Sequence, residues 1–110
     1  MRSWVAQLRK GLVELCVMAA LRRGEAYGYQ ILQRLGQVEG LAVTESTVYP
    51  ILARLARDGL VKVRAAPSPA GPPRRYYRLT ALGRSRLREM TGHWHDIQLA
   101  VDQLLGGKPS

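Results

Sequence analysis

The change from helix to strand that decides the fold lies in residues 44–64, which read TESTVYPILARLARDGLVKVR. Thr44 is a good N-cap, and apolar residues follow it at the helical spacing of positions 48, 51, 52 and 55. The helix is expected to reach about Asp58, because Gly59 supplies the left-handed residue that commonly follows a helix end. Residues 61–64 then alternate between apolar and basic side chains, which predicts a strand.

A second strand is expected beyond a proline-rich turn. Residues 67–73 contain four prolines and one glycine, a composition that neither a helix nor a strand accommodates. In the run after this turn, Tyr77 and Leu79 fall on one face and Tyr76 and Arg78 on the other. The two runs and the turn together predict a β-hairpin.

Helices are expected on both sides of this segment. The first has leucine or alanine at positions 8, 12, 15 and 19, and its other faces are also apolar, so it needs cover on every side. Gly24 ends that helix, and a second helix is expected from about Ala26 to Val38. Thr80 is a suitable N-cap for a long last helix.

Basic charge is concentrated in one part of the chain. There are 17 Lys and Arg against 8 Asp and Glu, and residues 46–88 hold ten of the basic residues with one acid, Asp58. Such segregation is typical of a nucleic-acid footprint. A solvated basic surface has the same composition, and the charge alone does not choose between DNA, RNA and a membrane surface.

The predicted order is helix, helix, helix, hairpin, helix, which is the chain order of a winged helix-turn-helix. We therefore expect a mainly α fold with a small β-hairpin. Residues 1–80 are expected to form the DNA-binding domain. Residues 81–110 are expected to form a long C-terminal dimerisation helix with a short tail.

The exposed side of the helix at residues 44–58 is the candidate DNA-reading surface, since the second helix of this motif lies in the major groove. The hydroxyl side chains suit base edges, whereas the tyrosine and the arginines suit sugar and phosphate. A simpler interpretation is that the hydroxyls finish the helix cap and the tyrosine packs. The proline breaks a local rule of helices and is interpreted as shaping the DNA-facing end. The candidate residues are Ser46, Thr47, Tyr49, Pro50, Arg54 and Arg57.

Several functional classes lack support in the sequence. There is no run of about 18 apolar residues, so no membrane span is expected. Cys16 is the only cysteine, which leaves no internal disulfide and fits a reducing cytoplasm. Neither an enzyme nor a cofactor is expected, because paired carboxylates, a nucleophile with its base and a Gly-rich phosphate loop are lacking. His93 and His95 point to different helix faces without a third ligand, so no metal site is expected and their role stays open.

The last helix carries an apolar seam whose members repeat at spacings of three and four: Leu87, Met90, Trp94, Ile97, Val101 and Leu104. The seam packs either on its own domain or against a twin helix. Dimerisation is the stronger interpretation, since the first three helices already supply a winged-helix core. The apolar first helix is expected to help through Leu8, Leu12 and Leu15. Trp94 lies mid-seam, where its ring either packs in the dimer or stacks on a small planar aromatic effector.

Four motifs resemble those of the PadR-like regulators: Tyr27-Gly28-Tyr29-Gln30-Ile31, Ser46-Thr47-Val48-Tyr49-Pro50, Asp58-Gly59-Leu60, and the hairpin from Gly71 to Thr80. The resemblance runs from about Gly11 to Leu105 and fits the short subtype with a single C-terminal helix. It implies a homodimeric repressor that binds inverted repeats and is often released by small phenolic or drug-like molecules.

The chain departs from this family in its wing turn, because residues 65–70 lack the charged side chains common there. Minor-groove contact by the wing tip is therefore not expected. The wing is expected to contact DNA through the basic residues at its base, Lys62, Arg64, Arg74 and Arg75.

The leading hypothesis is a cytoplasmic, sequence-specific transcriptional repressor that binds a palindromic double-stranded operator as a homodimer. Two other classes stay open. One is a winged-helix interaction module whose basic face binds an acidic protein. The other is a non-specific nucleic-acid-binding dimer without an effector response. A discrete palindromic footprint supports the first hypothesis alone.

Overall fold

The computed structural model describes residues 1–38, 40–41 and 43–106, so the predicted short tail after residue 106 lies outside the described residues. Within these residues, four helices and three strands follow one another in the order that the sequence predicts, apart from one short extra strand. Their bounds are α1 Arg2–Ala20, β1 Ala26–Tyr27, α2 Gly28–Gly36, α3 Glu45–Arg57, β2 Val61–Ala66, β3 Arg74–Leu79 and α4 Ala81–Leu104.

The three strands form one antiparallel sheet in the order β1-β3-β2. Val61 pairs with Leu79 at one end of the hairpin and Ala66 pairs with Arg74 next to the turn, so the predicted wing is confirmed. The prediction that the second helix starts at Ala26 was wrong. Ala26 and Tyr27 instead pair with Tyr77 and Tyr76 of β3. This long-range pairing was not predicted, because a strand of two residues is too short to show a periodic pattern in the sequence.

One hydrophobic core joins α1, α2, α3 and the inner face of the sheet. In α3 the buried residues are Val48, Leu52 and Leu55, with Ile51 partly buried, as its spacing predicts. In α1, however, the buried side is formed by Val13, Val17 and Met18. The predicted leucine face of α1 lies at the edge of this core: Leu12 and Leu15 are half-buried and Leu8 is 47% exposed.

The long helix α4 starts on the core and then leaves it. The Thr80 side chain caps the helix as predicted, accepting a hydrogen bond of 3.0 Å from the Gly83 amide. Leu87 is buried and Met90 packs against the core, but every residue from 91 to 106 is exposed. The described part of the chain is accordingly elongated, with extents of 53 × 32 × 21 Å. In that part, no helix is both long and apolar enough to cross a membrane.

Candidate nucleic-acid interface

The N-terminal half of α3 presents hydroxyl groups to solvent. Thr44 takes the N-cap position, but its side chain makes no hydrogen bond to the helix backbone. Its Oγ1 instead lies 2.9 Å from Ser46 Oγ and 3.4 Å from Thr47 Oγ1. All three residues are exposed. A cluster of hydroxyls that both donate and accept hydrogen bonds is suited to base edges and phosphates alike.

Pro50 lies inside α3 and is exposed on the same side of the domain. A proline has no N–H, so the Ser46 carbonyl four residues earlier does not receive its usual helical hydrogen bond. That carbonyl therefore keeps its capacity to accept a hydrogen bond from water or a ligand at the exposed end of α3.

Tyr49 connects α3 to the start of α2. A side-chain carbon at position 28 would overlap the Tyr49 ring, so the ring lies directly against the backbone of Gly28. The residue remains 40% exposed. Partial burial raises the pKa of the Tyr49 hydroxyl, and the neighbouring Glu45 and Tyr77 raise it further. The hydroxyl therefore stays protonated at neutral pH and is available as a hydrogen-bond donor to a phosphate.

An open groove of about 1010 Å³ separates α3 from the wing. Tyr27 at the end of β1 and Gly28 and Tyr29 at the start of α2 line the groove together with Tyr49 of α3. Pro73, Arg74 and Arg75 line it from the wing. Guanidinium groups and tyrosine side chains around an open channel match what a nucleic-acid backbone requires, namely positive charge and hydrogen-bond donors for its phosphates.

The wing distributes its basic side chains over both faces of the sheet. Lys62 lies opposite Arg78, and Arg64 lies opposite Tyr76, so these four share the outer face. Arg75 belongs to the other face, opposite Ala65, and is exposed beside the groove. Lys62 lies near the base of the wing as expected. Arg74 and Arg75 instead lie next to the turn, because β3 begins only at Arg74.

A stack of aromatic and guanidinium groups orders the outer face of the wing. The Arg64 guanidinium lies 4.8 Å from the Tyr76 ring centre, and the Arg74 guanidinium lies 4.4 Å from that of Tyr27. The two rings meet edge to face at 5.4 Å. Each contact is worth about 0.5–1 kcal/mol at an exposed site. Together they fix the wing relative to the start of α2.

Two of the six basic residues assigned to DNA from the sequence are held by carboxylates of the same chain. Arg54 Nη1 lies 2.6 Å from Glu14 Oε1 of α1. Arg64 donates two hydrogen bonds to Glu25, which lowers the pKa of that carboxyl and raises the pKa of the guanidinium. Neither acid was recognised from the sequence, because their partners lie 40 and 39 residues away along the chain.

The other four basic candidates have no ion pair shorter than 3.9 Å in the described part of the chain. Arg57 lies 3.9 Å from Asp58 in an exposed pair, a contact of little energetic weight. Arg74 is half-buried on Tyr27, and Lys62 and Arg75 are exposed. The structure therefore brings three of the predicted residues together at the groove: Tyr49 on α3, and Arg74 and Arg75 on the wing. Ser46, Thr47 and Pro50 are exposed on α3 but do not line the groove.

Solved structures of several known proteins are similar to this chain in both sequence and fold. A crystal structure of a PadR family transcriptional regulator from Eggerthella lenta is 35% identical, with a TM-score of 0.86 over 94% of this chain and 90% of that one. A PadR-like transcriptional regulator from Bacillus cereus is 31% identical, with a TM-score of 0.79 over 93% and 99% of the two chains. Bacillus subtilis PadR, solved in complex with operator DNA, is 26% identical, with a TM-score of 0.65 over 73% of this chain and 46% of that one.

The family model of the transcriptional regulator PadR-like family matches residues 17–89, which span the end of α1, the groove and the whole wing. That match covers more than half of the 110 residues. The fold is the winged helix of that family, with DNA-binding regulation as the family's function. The chain belongs to the PadR-like family of transcriptional regulators.

Proposed function

We propose that the chain is a homodimeric repressor that reads an inverted-repeat operator with α3 and holds the DNA backbone in the groove between α3 and the wing. The observation that carries this proposal is the groove itself. It is open, and it is bordered by Tyr49, Ala53 and Ala56 of α3 on one side and by Arg74 and Arg75 on the other. A helix that enters the major groove leaves the adjacent phosphate strand beside the wing.

Within this proposal, Ser46 and Thr47 contact base edges, because they are the exposed hydroxyls within the first turn of α3. Tyr49 donates its hydroxyl to the backbone, and Arg57, Lys62 and Arg75 contribute phosphate contacts. Arg54 and Arg64 contribute less than the sequence predicts, because Glu14 and Glu25 already neutralise part of their charge.

The dimer is proposed from the exposed half of α4. Trp94, Ile97, Val101 and Leu104 are 36%, 57%, 46% and 88% exposed. A helix of this length draws most of its stability from packing of its apolar face. The rest of the same chain covers the apolar face of α4 only as far as Met90. A second copy supplies the missing surface. Trp4, Val5 and Leu8 at the start of α1 are also exposed and extend the apolar area available to it.

Repression and its release follow from this assembly. Two copies of α3 related by a two-fold axis require a palindromic site, and occupancy of such a site in a promoter blocks transcription. A small planar aromatic effector is proposed to stack on Trp94, the one large ring in the seam. Quenching of Trp94 fluorescence by planar compounds in a Trp4→Phe background tests this step. A panel without any quenching leaves Trp94 as a packing residue.

Selection of bound sequences from a random duplex pool tests the function as a whole. The expected result is an inverted repeat with half-sites about 10 base pairs apart, or a multiple of that spacing. A pool that stays random after selection supports non-specific binding, and a protein that retains no duplex supports an interaction module.

A further inference from the structure

Another depression lies near the start of α4. It encloses about 340 Å³, within the size range of small-molecule sites. Leu79 and Leu87 form its floor, and their side chains are only 2% and 6% exposed. Three arginines surround it, one just after α1 and two a helical turn apart on α4: Arg22, Arg84 and Arg88. We call this site the arginine pocket.

Among the residues that the structure describes, none of these three guanidinium groups has a carboxylate partner. The arginines that form ion pairs there are Arg54, Arg57 and Arg64. Like charges four residues apart on a helix repel each other, and Arg22 brings a third charge to the same depression. All three arginines are exposed, so water and salt screen part of this repulsion, and the site as a whole is positively charged over an apolar floor. An anion that binds between them removes this repulsion.

We propose that the arginine pocket binds a small organic phosphate, a phosphomonoester that carries an apolar group. Arginine is the side chain best suited to oxyanions, because its planar fork donates several hydrogen bonds at once. A phosphomonoester carries a charge of about −1.5 to −2 at pH 7 and so offsets more of the three cations than a carboxylate does. The leucine floor accommodates the apolar group.

The pocket is distinct from the groove beside α3 and from the exposed part of the seam on α4, although the buried first residue of the seam, Leu87, forms part of its floor. It shares no lining residue with the groove beside α3. Trp94 does not line it either, since the pocket extends along α4 only from Arg84 to Thr91. The hydroxyl proton of Thr91 is already used by the Leu87 carbonyl at 2.8 Å, so the arginines are the donors left for a ligand.

Binding of phenyl phosphate to the full chain without DNA tests the proposal, so that its failure is distinct from a failure of the proposed function. Calorimetry at pH 7.5 should give a dissociation constant of about 0.1–1 mM, the range of a few charge-assisted hydrogen bonds at an exposed site. Arg84→Gln and Arg88→Gln should each weaken binding by about tenfold or more.

Arg86→Gln is the matched control. It removes the same charge from the same helix, but a residue two positions from Arg84 and Arg88 faces elsewhere and does not line the pocket. Phenyl phosphate should bind this variant within about twofold of wild type. Phenol, inorganic phosphate and benzoate should each bind wild type more weakly than phenyl phosphate.

Equal weakening by Arg86→Gln overturns the site, because the effect is then one of net charge. Equal binding of inorganic phosphate or benzoate overturns the ligand class. If Arg84→Gln and Arg88→Gln shift the monomer–dimer equilibrium while wild type does not bind phenyl phosphate, the arginines contact a second copy and the proposal is wrong. If instead these variants lower only the salt dependence of duplex binding, they contact DNA, which also contradicts it.

Discussion

Glu25, in the segment before β1, binds the guanidinium of Arg64 in β2 through two hydrogen bonds of 3.1 and 2.6 Å. The ring of Tyr76 lies against the same guanidinium. This clamp ties the wing to the connection between α1 and α2, and it withholds part of the charge of Arg64 from any ligand. One acid thus affects both the position of the wing and its attraction for phosphate.

Glu25→Gln is expected to raise affinity for duplexes of any sequence. The substitution frees Arg64, so the plot of log Kd against log salt should steepen by up to about one. Titration of a fluorescent non-operator duplex at several salt concentrations measures both quantities. Glu89→Gln changes the net charge equally without releasing an arginine, since no ion pair of Glu89 is present in the described part of the chain. Weaker binding by Glu25→Gln, or an equal change in the control, contradicts this prediction.

The same clamp predicts how Glu25 titrates. The pKa of Glu25 lies below its ordinary value, mainly because Arg64 donates hydrogen bonds to its carboxylate. A carboxyl of this kind stabilises the fold above its ordinary pKa of about 4.3, and the contribution is lost as the pH falls through the lowered value. NMR titration of the Glu25 carboxyl should give a midpoint below about 4.3, and Arg64→Gln should restore that value. A wild-type midpoint at or above it shows that the clamp is not formed in solution.

Gly28→Ala is expected to destabilise the fold by about 1–3 kcal/mol, because the new methyl group overlaps the Tyr49 ring. Denaturant unfolding measures the change. Gly36→Ala in the same helix is the control: it meets nothing within 4 Å and should be neutral or stabilising by up to about 1 kcal/mol. Tyr49→Ala should remove most of the penalty of Gly28→Ala. Additive effects of these two substitutions would contradict the contact.

The periodic parts of the fold were predictable from the sequence, and its long-range contacts were not. The core face of α3, the wing and the Thr80 cap each leave a local pattern of spacing or residue type. The strand β1 leaves none, because its two residues are extended only through pairing with β3. The ion pairs of Arg54 and Arg64 could not be predicted from the sequence either. A charge count treats each arginine as free, whereas the fold brings Glu14 and Glu25 to them.

Reading of DNA bases by α3 is tested by Thr47→Ala. Its hydroxyl is exposed at the start of α3, so its loss should leave the fold intact and weaken operator binding by about 1–3 kcal/mol. Binding to unrelated duplexes should hardly change, so the preference for the operator falls. Thr91→Ala makes the same chemical change outside α3 and should bind the operator as wild type does. Equal operator binding by Thr47→Ala would show that this residue does not read a base.

The proposed repression from an inverted repeat requires two chains joined through α4, each placing α3 on one half-site. The exposed Ile97 lies in the proposed seam, and Ile97→Asp would bury an unsatisfied charge there. Gln98→Asp adds the same charge one residue away, off the seam, and serves as the control.

The most direct measurement is the mass of the protein and of its complex with the selected duplex, obtained by sedimentation velocity. Wild type and Gln98→Asp should be dimers that bind two chains per duplex. Ile97→Asp should be a monomer with much weaker binding, since a single half-site cannot replace two engaged together. A wild-type monomer at micromolar concentration that binds the duplex as one chain would contradict the dimeric repressor.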